Sequence, residues 1–324
     1  MKQGLGVVLA IALWSCARAQ AAEPLRQIAT IALPGVAGRI DHLAFDSQRQ
    51  RLFVAALGND TVEVLDTAGN SHVRSLQGFH EPQGIAVAAD FGAVAVANGD
   101  TGTLQLIDAE TFATRWTVDI GGDADNVRYD AAAKQLYVAA EGGLYRVEPA
   151  TGKVGARIAI DGHPESFQLE AAGTRVFANL PSSEVVVGDR QRAAVVARWS
   201  SLGCRSNYPM AVDGTTMRVL IGCRQPARLA VLDDRTGGVL TSAEIVGDTD
   251  DLFFDEQRQR IYVIGGEGFV DVLQRRGDAV ERTTRVGTRA GARTGLWVGS
   301  LSRLYVAVPA RDGKAAEVRV LDAE

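Results

Sequence analysis

GRIDHLAFDSQRQRLFVAALGNDTVEVLD, residues 38–66, reads as three short strands separated by polar turns. HLAFD (42–46) runs into the turn SQRQ, RLFVAALG (51–58) into Asn59-Asp60, and TVEVLD (61–66) into a turn over 67–70. Apolar or alternating runs of strand length, bounded by turn residues, carry that signal. The phrase then returns along the chain with different residues. Its third strand recurs as VEVLD, LQLID, LYRVE, VVVGD, LAVLD, VDVLQ and VRVLD, ending at Asp66, Asp108, Glu148, Asp189, Asp233, Gln274 and Asp322, with spacings of 40 to 48 residues. Its second strand recurs as RLFVAAL, AVAVANG, QLYVAAE, RVFANLP, RVLIGCR, RIYVIGG and RLYVAVP.

Seven repeats of four strands predict an all-β, seven-bladed β-propeller with four antiparallel strands per blade. A linear β-solenoid is the competing architecture. The period favours the propeller, because four-stranded blades take about 40–50 residues. The last repeat reaches only its third strand, whereas Leu25–Leu33 (LRQIATIAL) is a strand pattern with no hairpin partner. That segment is expected to complete blade seven and close the ring, which removes the exposed sheet edges. The expected organisation is a leader over residues 1–21 and a single propeller domain over 22–324.

RLFVAALGNDTVEVLDT, LYVAAEGGLYRVEPATGKV and RLAVLDDRTGGVL resemble the repeats of the YVTN family of YncE-like periplasmic β-propellers. The likeness spans nearly all of the chain after the leader. It implies the propeller fold and a binding role outside the cytoplasm, and it brings no shared catalytic motif. Blades four (LPSSEVVVGDRQR) and six (VLQRRGD) depart from the family's D-T-x-T-G turn. The family has also been linked to DNA binding. Here the net charge is −5 and no basic-aromatic interleaving occurs, which disfavours a nucleic-acid partner.

Residues 1–22 stand apart from the repeats. Lys2, the apolar run Leu5–Trp14 and the small-x-small pattern Ala19-Gln20-Ala21 predict a secretory signal cleaved after Ala21. A lipoprotein signal with Cys16 as the lipidated residue is the alternative, and Trp14 fits it poorly. Either way the chain is expected in the periplasm or secreted, with no later transmembrane segment, as a monomer. With Cys16 gone, Cys204 and Cys223 remain as an even pair, expected to form a disulfide in an oxidising compartment.

In a propeller, the connections entering each blade and those between its second and third strands share one face around the channel. On this chain they carry Arg39, Asp41, His42, Asn59, Glu81, Asp125, Asn126, His163, Glu165, Asn207, Tyr208, Arg224, Asp250, Asp251 and Arg293 as candidate ligand-binding residues. His80, Gln83, Asp123, Asn179, Asp248 and Glu267 lie in the same connections. Convergent polar groups in a concavity make a binding site for a small molecule or a protein. The competing reading is a lactonase-like, metal-dependent hydrolase. In it, Asp41, Asp125, Glu165 and Asp250 would hold Ca²⁺ or Mg²⁺ and a metal-activated water would attack. His42 and His163 would suit a transition metal. A third, weaker reading takes His163-Pro164-Glu165 or His80-Glu81 as a lyase base. The sequence favours binding without catalysis, and no cofactor is specified beyond that divalent cation. By contrast Asp46, Asp66, Asp90, Asp130, Asp233 and Asp255, which end strands, are expected to bond the backbone of the following turns. His72 is expected at the surface.

Overall fold

A computed structural model describes residues 23–200 and 202–324; the expected leader, its cleavage point at Ala21 and Cys16 lie outside them. Every regular element among the described residues is a strand or a three-residue 3₁₀ turn. The strands form seven four-stranded sheets. Blade one is Leu43–Asp46, Arg51–Ala56, Thr61–Asp66 and Ser71–Leu76, the opening phrase plus its outer strand. Six blades run in sequence order. Blade seven takes its outer strand from Arg26–Leu33, antiparallel to Ala316–Asp322, with Arg26 opposite Asp322 and Leu33 opposite Ala316. The seven-bladed propeller and its closing strand are thus as the repeat count requires. No helix among the described residues is long and apolar enough to cross a membrane.

The second strands read as unbroken apolar runs because both faces of every sheet are covered. In blade one, Leu52, Val54 and Ala56 pack toward blade seven, while Phe53 packs toward blade two. The same division repeats around the ring, so the core is seven slabs, one between each pair of neighbouring blades. Gly38 permits one tight approach. It has a φ of +74°, and a Cβ there would lie 2.9 Å from the Gly58 Cα.

The strand-ending acids do what their position suggests. Asp46 accepts the N–H groups of Gln48 and Arg49, Asp66 those of Ala68 and Gly69, and Asp130 that of Ala133. Asp233 and Asp255 do the same in their own turns. Asp90 differs and accepts the Tyr129 hydroxyl at 2.6 Å. His72 is not the free surface residue expected of it. Its Nε2 lies 2.7 Å from Glu63, a fully buried carboxylate that also accepts the Thr61 and Ser75 hydroxyls. The buried acid recruits the histidine, which strand alternation alone does not reveal.

Cys204 and Cys223 are bonded, with Cα atoms 6.0 Å apart, tying the entry of blade five to its second strand. Closing a loop of this length restricts the unfolded chain by ~3 kcal/mol. Reduction with dithiothreitol should therefore lower the unfolding free energy by about that amount. An unchanged thermal midpoint in the reduced protein would contradict this.

Candidate functional site

The entry connections bring their polar side chains into a cup of about 560 Å³ at one end of the central channel. Three acids occupy equivalent places, each just before the first strand of its blade. Asp41, Asp125 and Glu165 donate their backbone N–H to Ala55, Ala139 and Asn179, carbonyls of the second strands of their own blades. That bond prolongs the hairpin by one step and fixes where each carboxylate emerges. Gly84 of blade two packs directly on the Asp125–Asn126 backbone, where a Cβ would collide with the Asp125 carbonyl. Asp250 is placed by a bulge. The register of blade six shifts between Thr249 and Asp251, leaving Asp250 unpaired. A bulge re-aims side chains in this way, and it lets two successive aspartates serve different cavities. Asp250 lines the cup and Asp251 lies below its floor.

Two carboxylates of the cup are held by arginines. Arg39 donates to Asp41 at 2.8 Å and lies 3.9 Å from Asp250. Arg224 donates to Asp250 at 2.7 Å and to the Thr249 carbonyl at 2.9 Å, with its guanidinium 4.0 Å from the Tyr208 ring centre. Arg293 pairs with Asp248 at 3.2 Å. The floor is made by His42, whose Nδ1 lies 3.5 Å from Asp251 and Nε2 3.6 Å from Asp41. Burial pushes the His42 imidazole down, but Asp251 and Asp41 outweigh it and hold its pKa up at about 10. The two flanking carboxylates favour its protonated form.

A second group is less well neutralised. Asp125, His163 and Glu165 each offer a ligand atom within 4.8 Å of the other two. His163 Nε2 is 3.5 Å from Asp125 and 3.8 Å from Asp123. Burial, reinforced by Asp125, pushes Glu165 up to about 7, and burial raises Asp125 as well. His163 is raised by its hydrogen bond to Asp125. Burial also drives Asp250 up to about 7 in spite of Arg224. Burial thus disfavours the ionised form of these carboxylates.

Of the fifteen candidates, Arg39, Asp41, His42, Glu81, Asp125, His163, Glu165, Tyr208, Arg224, Asp250 and Arg293 line the cup. Asn126 is buried beneath it, donating to the Glu165 carbonyl at 2.7 Å, with its amide nitrogen 3.2 Å from His42. Asn59 and Asn207 are turned to the backbone. Asn59 accepts the Ala37 N–H, and Asn207 joins Ser183, Asn179 and Glu184. Gln83 and Asp123, bonded to each other at 2.9 Å, complete the wall. Ser166 also lines it, its hydroxyl bonded to the Tyr208 carbonyl. It opens a strand rather than sitting in a connection, so the connection rule passes over it.

No family model matches the chain, and no curated protein matches it. Among solved structures, a chain in the crystal structure of the mitotic checkpoint complex superposes with a TM-score of 0.77, covering 98% of both chains at 11% identity. At that identity the likeness shows the fold. The chain is a seven-bladed β-propeller with an acidic, arginine-studded cup at one end of its channel.

The Arg224–Asp250 pair gives a pH-dependent expectation. Asp250 has a folded pKa above its unfolded value, so it is neutral at pH 5 and ionised above about 7. Arg224→Leu leaves a buried charge without its partner only when Asp250 is ionised. The loss of stability should be ~2 kcal/mol at pH 8 and clearly smaller at pH 5. Urea unfolding at the two pH values checks this, and an equal loss at both would contradict it.

Proposed function

We propose that the chain is an exported YVTN/YncE-like propeller, a ligand-binding module whose cup recognises its ligand through a divalent cation. The observation that carries this reading is the Asp125–His163–Glu165 group, with three ligand atoms within 4.8 Å and Glu165 pushed up to about 7. One imidazole nitrogen and two carboxylates suit Mn²⁺ or Zn²⁺ better than an all-oxygen cation such as Ca²⁺. His42 is held between Asp41 and Asp251 and does not belong to that ligand group. Asp41 and Asp250 are engaged by Arg39 and Arg224, which leaves Asp125 and Glu165 as the metal carboxylates of the four named from sequence. Arg39 and Arg293 line the same cup and supply cations for an anionic group on the bound ligand. Tyr208, stacked with Arg224, offers a flat apolar wall beside them.

A metal-assisted hydrolase of lactone-like substrates is the second reading. Glu165 favours it, because a carboxyl titrating near neutrality suits a general base. Hydrolysis assays with and without EDTA separate the two. EDTA-sensitive turnover establishes the hydrolase.

Calorimetric titration of the EDTA-stripped protein with Mn²⁺ tests the cation site. One site per chain is expected, weakened about tenfold or more by Glu165→Gln or His163→Ala. Its affinity should rise with pH through about 7, because Glu165 and His163 must lose protons to bind. Absence of binding, or affinities indifferent to both substitutions, would sink the reading.

A further inference from the structure

The channel continues beyond the cup. On the other side of His42 and Asp251 lies a second cavity of about 410 Å³, lined by first-strand residues of every blade but the fifth. Leu43, Phe45, Ile85, Val87, Phe253 and Leu296 form the apolar part of its walls, which expose polar and apolar surface in nearly equal measure. Most of its polar side chains are engaged by the protein. The Gln168 amide donates to the Met210 carbonyl at 3.0 Å, the Tyr129 hydroxyl to Asp90 at 2.6 Å, and Asp251 accepts the Gly295 N–H at 2.9 Å while facing His42.

Arg128 is the exception. A guanidinium offers five N–H donors. Among the described residues, Arg128 makes one hydrogen bond, from Nη1 to the Val127 carbonyl at 2.9 Å, and forms no salt bridge. Its guanidinium lies 5.6 Å from the Phe167 ring centre. Burial pushes its pKa down, and the more distant carboxylates of Asp251 and Asp125 offset this only in part. It is also a charged residue in the middle of the short first strand Val127–Asp130, and turn chemistry does not account for it there.

We propose that this half of the channel is a second ligand site, which takes the carboxylate of a small apolar acid on Arg128 and its hydrocarbon body against the channel walls. A carboxylate matches the guanidinium fork in shape and charge and accepts two parallel hydrogen bonds. The volume is that of small-molecule pockets, which span about 300–1,000 Å³, and apolar first-strand side chains stand beside a guanidinium with donors to spare. A phosphate monoester would bring nearly two negative charges to a single guanidinium beside Asp251, so a singly charged head fits better. The site shares only His42 with the cup and does not rest on the cation reading.

Calorimetry of the full chain with decanoate, decanol and decylammonium, each below its micelle concentration, tests the proposal. Decanoate should bind at one site, with decanol and decylammonium about tenfold or more weaker, the scale of losing charge-assisted hydrogen bonds. Arg128→Met should weaken decanoate by a similar factor while leaving decanol unchanged. Mn²⁺ saturation should leave decanoate binding in place, so failure here and failure of the cation site are distinguishable. No decanoate binding, equal affinity for decanoate and decanol, or an Arg128→Met protein that binds decanoate as before would each overturn the assignment. The first two outcomes are read on the unmodified protein, so the test holds even where the variant fails to fold.

Discussion

The antiparallel pairing of Arg26–Leu33 with Ala316–Asp322 is the constraint that turns seven sheets into a ring. Each sheet buries both faces against its neighbours, so an open ring would leave two faces and a strand edge in water. The closing segment supplies Leu25, Ile31 and Leu33, all at most 1% exposed. At about 2 kcal/mol for each fully buried side chain, they contribute roughly 6 kcal/mol. That is comparable with the net stability of a whole domain, about 5–15 kcal/mol. Closure also brings blade seven against blade one at the rim, where the Thr294 hydroxyl donates to the Ile40 carbonyl. The cup has a complete wall only because this seam is shut.

Within that wall the backbone sets the position of each charge, and the charges then settle among themselves. Asp41 and Asp250 gain arginine partners, and Asp251 gains the His42 imidazolium. Asp125 and Glu165 have His163 for company, and burial raises both above the ordinary carboxylate range. A rigid ring cannot relax to separate them. Between the unfolded and folded pKa of Glu165 the folded protein keeps a proton that the unfolded chain has lost, so stability falls as pH rises, and a bound cation that favours the carboxylate offsets that loss. The other end of the channel holds the Arg128 guanidinium beside apolar first-strand side chains, with His42 and Asp251 at the boundary with the cup.

The fold was legible because it rests on period and on runs of apolar residues. VEVLD and its six relatives mark the blades, and Leu25–Leu33 marks the seam. The face carrying the site followed from topology, and eleven of the fifteen named residues do line the cup. What the sequence hid was local. Asn59 and Asn207 sit in the right connections but turn to backbone groups. The bulge at Asp250 separates it from Asp251 by a register shift that composition does not encode. Whether a carboxylate meets an arginine or a histidine depends on contacts across blades, Arg224 with Asp250 or His163 with Asp125. The sequence does not single out Arg128, and its single hydrogen bond emerges only when the channel is assembled around it.

Asp125, His163 and Glu165 are the candidate cation site of the cup. It is tested most directly by anomalous diffraction from crystals soaked in Mn²⁺. One strong anomalous peak is expected, bonded to Asp125, His163 and Glu165, with Arg39–Asp41 and Arg224–Asp250 still paired beside it. An empty cup, or a cation held by Asp41 and Asp250 with their arginines displaced, would contradict it.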